Sequence, residues 1–241
     1  MGNPVSGLLF TARPQLGRIV IKLDHLCKSF ATRTGRKMIV NDLSVVFPTG
    51  KSVALLGRNG AGKSTLLKLI AGTIRPDSGH VLSTGSVSYP VGFAGSFHPD
   101  LTGRQNARFV ARLYGADTDE LVTFVQDFAE LGEHFQMPLR TYSAGMRSRL
   151  SFGISMAIPF DTYLVDEVTS VGDGAFRAKS IRIFDKRRET SGAIVVSHSA
   201  PMVRRICDSA VVLEDGKLQF YDDVDTALDH HEDNLKKVIR S

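Results

Sequence analysis

The sequence predicts an α/β protein: a strand-rich core built on a phosphate-cradling loop and interrupted by one helical insertion. Three observations predict it. The run Gly57-Arg58-Asn59-Gly60-Ala61-Gly62-Lys63-Ser64-Thr65 fits G-x-x-x-x-G-K-[ST]. It stands between an apolar run that reads as a buried strand, Val53-Ala54-Leu55-Leu56, and a helix expected over 64–71. Further along, between about 93 and 157, the apolar residues change from strand-like runs to helical spacing.

Taken in order, residues 1–18 read as a flexible N-terminal arm. From Ile19 to Phe47 short apolar runs alternate with turns, which predicts a small antiparallel layer ahead of the loop strand. Val81-Leu82 and Val87-Ser88-Tyr89 predict further short strands. In the insertion, Ala107, Val110, Ala111 and Tyr114 share one helical face, and Leu121, Phe124, Val125 and Phe128 share another. Thr102 and Gln105 are spaced as a capping box, Gly115 is placed to end the first helix, and Asp117 to cap the second. A third helix begins after Ser143, with Met146, Leu150 and Ile154 on one face. Strands return at Tyr163-Leu164-Val165 and Ala193-Ile194-Val195-Val196, followed by a hairpin across Glu214-Asp215-Gly216-Lys217. Beyond 225, a stripe that starts at Val224 and takes in 227, 228, 231 and 235 predicts a C-terminal helical tail, 226–241.

Composition bounds the function. With 42% hydrophobic residues and a mean hydropathy of −0.04, 241 residues suffice for one large domain with a real core. Lys plus Arg exceed Asp plus Glu by five. That excess suits work beside anionic phospholipid and is too scattered to argue for nucleic acid. The tightest basic cluster, Lys186-Arg187-Arg188, reads as the solvated face of a helix. Cys27 and Cys207 lack metal-ligand spacing, which points to a reducing compartment. The charge-free apolar run at 150–160 falls short of the roughly 20 residues that span a bilayer, and Leu8-Leu9-Phe10 is too brief for a signal peptide.

The loop carries the chemistry. Its glycines let consecutive N–H groups turn towards one anion, Lys63 can reach the β- and γ-phosphates, and the Ser64 hydroxyl can ligate Mg²⁺. A nucleoside triphosphate is the expected ligand. Asp166 and Glu167 follow a core strand, where ligands bind. Asp166 is placed to hold Mg²⁺ or its waters, and Glu167 to act as general base. His198, after the next strand, is placed to reach the γ-phosphate. Ser143, Ala144 and Gly145 open a helix and offer a second anion site: a cap hydroxyl, a close glycine amide and a helix dipole.

Together GRNGAGKST, YSAGM at 142–146, YLVDE at 163–167, TSVGD at 169–173 and His198 resemble the ABC ATPases in order and spacing. The resemblance covers roughly 19–225. It implies one RecA-like P-loop NTPase domain with an antiparallel β subdomain and an inserted helical subdomain at about 93–157. It also implies a homodimer in which the P-loop of one copy and the Ser143–Gly145 element of the other enclose each ATP. Asp166 and Glu167 match the acidic pair, Asp173 the D-loop, His198 the switch histidine, and Phe30 the aromatic that stacks on adenine. As residues alone, Phe30 is equally an ordinary core phenylalanine. The chain departs from the common LSGGQ signature at Tyr142, Ala144 and Met146 but keeps Ser143 and Gly145. The Q-loop glutamine is missing near Phe93, and water, or His98, is expected in its place.

The segments at 89–115 and 156–173 resemble bacterial polysaccharide exporters, particularly those for capsule. Ending at Ser241, the chain resembles the shorter capsule type rather than the O-antigen or teichoic acid exporters. The resemblance implies a peripheral ATPase on the cytoplasmic face of the bacterial inner membrane. An integral permease subunit would handle the polysaccharide, ATP and Mg²⁺ would be the cofactors, and nucleic acid has no part. The helical insertion is the expected docking surface for that permease. The alternatives are an O-antigen or teichoic acid exporter ATPase, or a soluble ABC ATPase acting as an assembly factor.

Overall fold

The computed structural model describes residues 21–33, 35–91, 97–166 and 174–239. The N-terminal arm therefore lies outside the described residues.

Among the described residues, two sheets and seven α-helices position the site. β1 (Ile21–Thr32) pairs antiparallel with β2 (Gly35–Phe47) on one side and with β4 (Ser78–Ser83) on the other, giving the expected antiparallel layer. The second sheet has the order β5-β6-β3-β7-β8, from β3 (Ser52–Leu56), β5 (Thr162–Asp166), β6 (Gly192–Val196), β7 (Ser209–Glu214) and β8 (Lys217–Tyr221). Its first four strands are parallel, and β8 joins antiparallel through the tight turn Asp215-Gly216. Both of those turn residues have positive φ, 45° and 75°, as a two-residue hairpin requires.

The parallel strands are buried on both faces, which is why they read as unbroken apolar runs. Val53 and Leu55 face β1, β2 and the helix α1 (Lys63–Ile70). Ala54 and Leu56 face the other way, into a larger core. That core includes α2 (Gly103–Leu113), α3 (Thr118–Ala129), α4 (Ala144–Ala157), α5 (Gly174–Arg188), α6 (Ala200–Ile206) and α7 (Val224–Ile239). Aromatic contacts bind the insertion to the rest: Phe128 stacks on Phe124 and Phe152 at 5.8 and 5.7 Å and meets Phe176 edge to face at 5.2 Å, joining α3 to α4 and α5.

Local signals behave as their chemistry requires. Thr102 and Gln105 form the reciprocal capping box of α2, at 3.1 and 2.9 Å. Asp117 accepts from the N–H groups of Asp119 and Glu120 to start α3. Two expectations need correction, and one helix had no local signal. Val87-Ser88-Tyr89 is no strand; it makes only an isolated bridge, Val87 to Thr162, at the outer edge of β5. Pro90 follows it and has no N–H to extend a ladder, and the Ser88 hydroxyl takes a strand bond instead, accepting from Leu164 N at 2.9 Å. Arg187 is not on a solvated face: it is 5% exposed, and its guanidinium donates from Nε to the Met156 carbonyl at 2.7 Å. The short helix α6 has too few residues for a periodic pattern and was not expected.

Candidate nucleotide-binding site

β3 ends at Leu56 in the middle of the sheet, and the chain turns there into the glycine loop. Gly57 is required by its surroundings: a Cβ would lie 2.5 Å from the Leu213 carbonyl oxygen, which is β7 backbone and cannot yield. Gly62 caps α1 with a φ of 109° and no side-chain hydrogen bond. The N–H groups of the first turn are thus left for an anion. The Lys63 side chain lies in the loop itself, 9% exposed, with Nζ donating to the Gly57 carbonyl at 2.5 Å and the Arg58 carbonyl at 3.0 Å. Arg58, Asn59, Gly60 and Ala61 form the turn between, closed by Ala61 N donating to Arg58 O at 3.1 Å. Thr65 follows in the first turn of α1.

The sheet order gathers the remaining groups. β6 lies between β5 and β3, so the end of β5, the end of β6 and the loop adjoin. Ser64 Oγ donates to Asp166 Oδ2 at 2.8 Å, although the two are 102 residues apart. A hydroxyl and a carboxylate are hard oxygen donors, the kind Mg²⁺ takes. His198 is exposed and stands two residues past the end of β6. The Ser197 hydroxyl accepts from Ser199 N at 3.1 Å and turns the chain there into α6. Glu167, Asp173 and Phe93 lie outside the described residues.

Ser143 is the N-cap of α4, its hydroxyl accepting from Met146 N at 3.2 Å. Ser143, Ala144 and Gly145 are all exposed. Ser143 and Gly145 line an open cleft of about 390 Å³ together with Glu130, His134 and Arg149, and no P-loop residue lines it. Within one chain the two anion sites are therefore separate. Phe30 is 43% exposed near the end of β1, so it is not a core residue. His98 is tied into its own turn, Nδ1 accepting from Asp100 N at 3.3 Å.

Sequence reasoning missed two groups. His231 falls on the inward stripe of α7, which packs against β3 and β7. Partial burial, and then the charges of Lys63 and His198, hold its imidazole pKa below the ordinary value. Its place in the stripe at 231 was the only signal. Asn106, 1% exposed, accepts from His98 N at 2.9 Å and donates to the carbonyls of His98, Leu101 and Thr102 at 3.2, 3.2 and 3.0 Å. It fastens the entry loop of the helical insertion, and a polar residue on an apolar face was its signal.

Comparison with known proteins agrees with this geometry. A family model described as ABC transporter matches residues 40–170. The polysialic acid transport ATP-binding protein KpsT of Escherichia coli is 51% identical over 90% of this chain and 100% of its own length. The capsule polysaccharide export ATP-binding protein CtrD of Neisseria meningitidis serogroup B is 41% identical over 88% of this chain and 98% of its own. A solved ATP-binding subunit of an ABC transporter superposes with a TM-score of 0.75 at 20% identity, covering 90% of this chain and 99% of that one, which shows the shared fold. A loop built for a triphosphate, a strand-end carboxylate bonded to it and relatives matched along nearly their whole length lead to one conclusion: this chain belongs to the ABC transporter family, among its ATP-binding proteins.

Proposed function

We propose that this chain hydrolyses ATP to drive export of a cell-surface polysaccharide, of the capsular kind, across the bacterial inner membrane. It would do so as a homodimer on a separate permease, bound at the cytoplasmic face. The observation that carries the ATPase reading is the 2.8 Å bond between Ser64 and Asp166, which joins the P-loop to the acidic strand end. The glycan class rests on likeness to capsule exporters that the chain matches nearly end to end.

In this reading the loop amides and Lys63 bind the triphosphate, and Phe30 stacks on the adenine. Ser64 and Asp166 would hold Mg²⁺, which supplies charge neutralisation at the β- and γ-phosphates. Glu167 accepts the proton of the attacking water, and His198 steadies the γ-phosphate end. Ser143 and Gly145 of a second copy, with Asp173 at the seam, complete each site; the separation of the two anion sites within one chain supports that division. A head-to-tail pair of this kind is self-complementary and closed.

Among the described residues no helix is long and apolar enough to cross a membrane, so the transport pathway is assigned to the partner. α2 supplies a docking face for it: Phe109 and Leu113, one turn apart, are 53% and 66% exposed. The decisive experiment deletes the gene and measures surface and intracellular glycan. Surface polysaccharide should disappear while glycan accumulates inside, with rescue by the wild-type chain and none by Lys63→Ala. Intact surface polysaccharide in the deletion strain would reject the export reading.

A further inference from the structure

We propose that Asp77 is the positioning residue of the base platform: its carboxylate pins Lys28 and Ser29 so that Phe30 stands at a fixed reach from the phosphate loop. This rests on the reading that Phe30 stacks on the adenine.

The strand that carries Phe30 is irregular just before it. The β1–β2 register shifts between Leu23 and Leu26, between Leu26 and Lys28, and again between Lys28 and Ser29. His25 within this stretch has a φ of 47°. Bulges of this kind re-aim side chains but surrender ladder bonds, so something else must fix where the strand points. Asp77 does. Its Oδ2 accepts from Ser29 N at 2.8 Å and from Ser29 Oγ at 2.7 Å, and its Oδ1 from Lys28 Nζ at 2.9 Å. Its own N–H donates to Cys27 O at 2.9 Å, so three consecutive residues of β1 are held from one side chain and its backbone. Arg36, across on β2, closes the cluster: Nε donates to Ser29 Oγ at 3.1 Å and Nη2 lies 3.5 Å from Asp77 Oδ2.

Two consequences bear on nucleotide binding. Asp77 belongs to the segment between α1 and β4, and α1 is the helix that the phosphate loop starts. The clamp therefore ties the base strand to the segment that leaves the far end of that helix. Lys28 Nζ, held by Asp77, sits 5.3 Å from the centroid of the Phe30 ring. A cation over one face of the ring leaves the opposite face for a base. The Lys28 and Ser29 hydrogen bonds also hold the Asp77 carboxyl far below the usual carboxylate range, so the clamp stays charged at every physiological pH.

The test compares the affinities of Mg-ATP and of magnesium tripolyphosphate, which has no base, for wild type, Asp77→Asn, Phe30→Ala and the double variant. Asp77→Asn should weaken ATP about fivefold, in line with the loss of part of one stacking contact, and leave tripolyphosphate unchanged. The double variant should bind ATP no more weakly than Phe30→Ala alone. Equal losses for ATP and tripolyphosphate, or additive losses in the double variant, would overturn the proposal by making Asp77 a support for the whole site. An effect of Phe30→Ala with none of Asp77→Asn would overturn it while leaving base stacking intact. No effect of Phe30→Ala would end both together. Should Asp77→Asn fail to fold, Ser29→Ala removes the two hydroxyl bonds of the cluster, to Asp77 and from Arg36, and should show the same selective loss at smaller size; equal weakening of both ligands would overturn the proposal there too.

Discussion

Replacing Lys63 by methionine removes one charge from the phosphate site while keeping most of the aliphatic stem. At about 4 Å from a phosphate oxygen, with an effective dielectric near 20, an ammonium gains about 4 kcal/mol of Coulomb attraction. Not all of that is available for binding. Nζ donates to the Gly57 and Arg58 carbonyls, and a phosphate must share or displace those bonds. A charge-assisted bond contributes about 1.5–3 kcal/mol, so losing part of one leaves a net of about 2–3 kcal/mol. That corresponds to an ATP affinity about 30- to 150-fold weaker. Calorimetric titration of Mg-ATP reads it directly, with a thermal melt to show that Lys63→Met folds. Magnesium tripolyphosphate should lose as much as ATP, because the lost contact is to phosphate. An affinity within threefold of wild type would refute the reasoning, since Lys63 would then stay with its carbonyl partners throughout.

Three further outcomes are expected. Glu167→Gln should bind ATP with near wild-type affinity, lower kcat about 10²-fold or more through loss of the general base, and accumulate as an ATP-bound dimer on gel filtration. Asn106→Leu should lower unfolding stability by about 2–4 kcal/mol in urea, because the carbonyls of His98, Leu101 and Thr102 lose a shared donor in a buried position. His231 has a folded-state pKa below its ordinary 6.5, set by burial and then by Lys63 and His198, with Glu214 and Glu232 opposing. The unfolded chain therefore takes up this proton first as pH falls. The stability is present in full above 6.5 and is lost as pH drops through the lower folded value. His231→Gln should flatten that part of the stability–pH curve, and an unchanged slope would show that His231 does not feel the phosphate site.

Features written in neighbouring residues are legible from the chain alone. The glycine spacing of the loop, the Thr102–Gln105 box and the Asp215-Gly216 turn each depend on a few adjacent backbone angles, so residue type alone suffices to read them. The double burial of the parallel strands was legible for the same reason, as unbroken apolar runs. The rest depends on which strand lies beside which, and only the folded chain sets that. The placement of β6 between β5 and β3 brings Asp166 to Ser64 across 102 residues. A carbonyl at the end of α4 turns Arg187 from a presumed surface charge into a buried donor. Bulges in β1 hand the aiming of Phe30 to Asp77. Each is a contact between parts of the chain remote in sequence, and local pattern carries no information about such a partner.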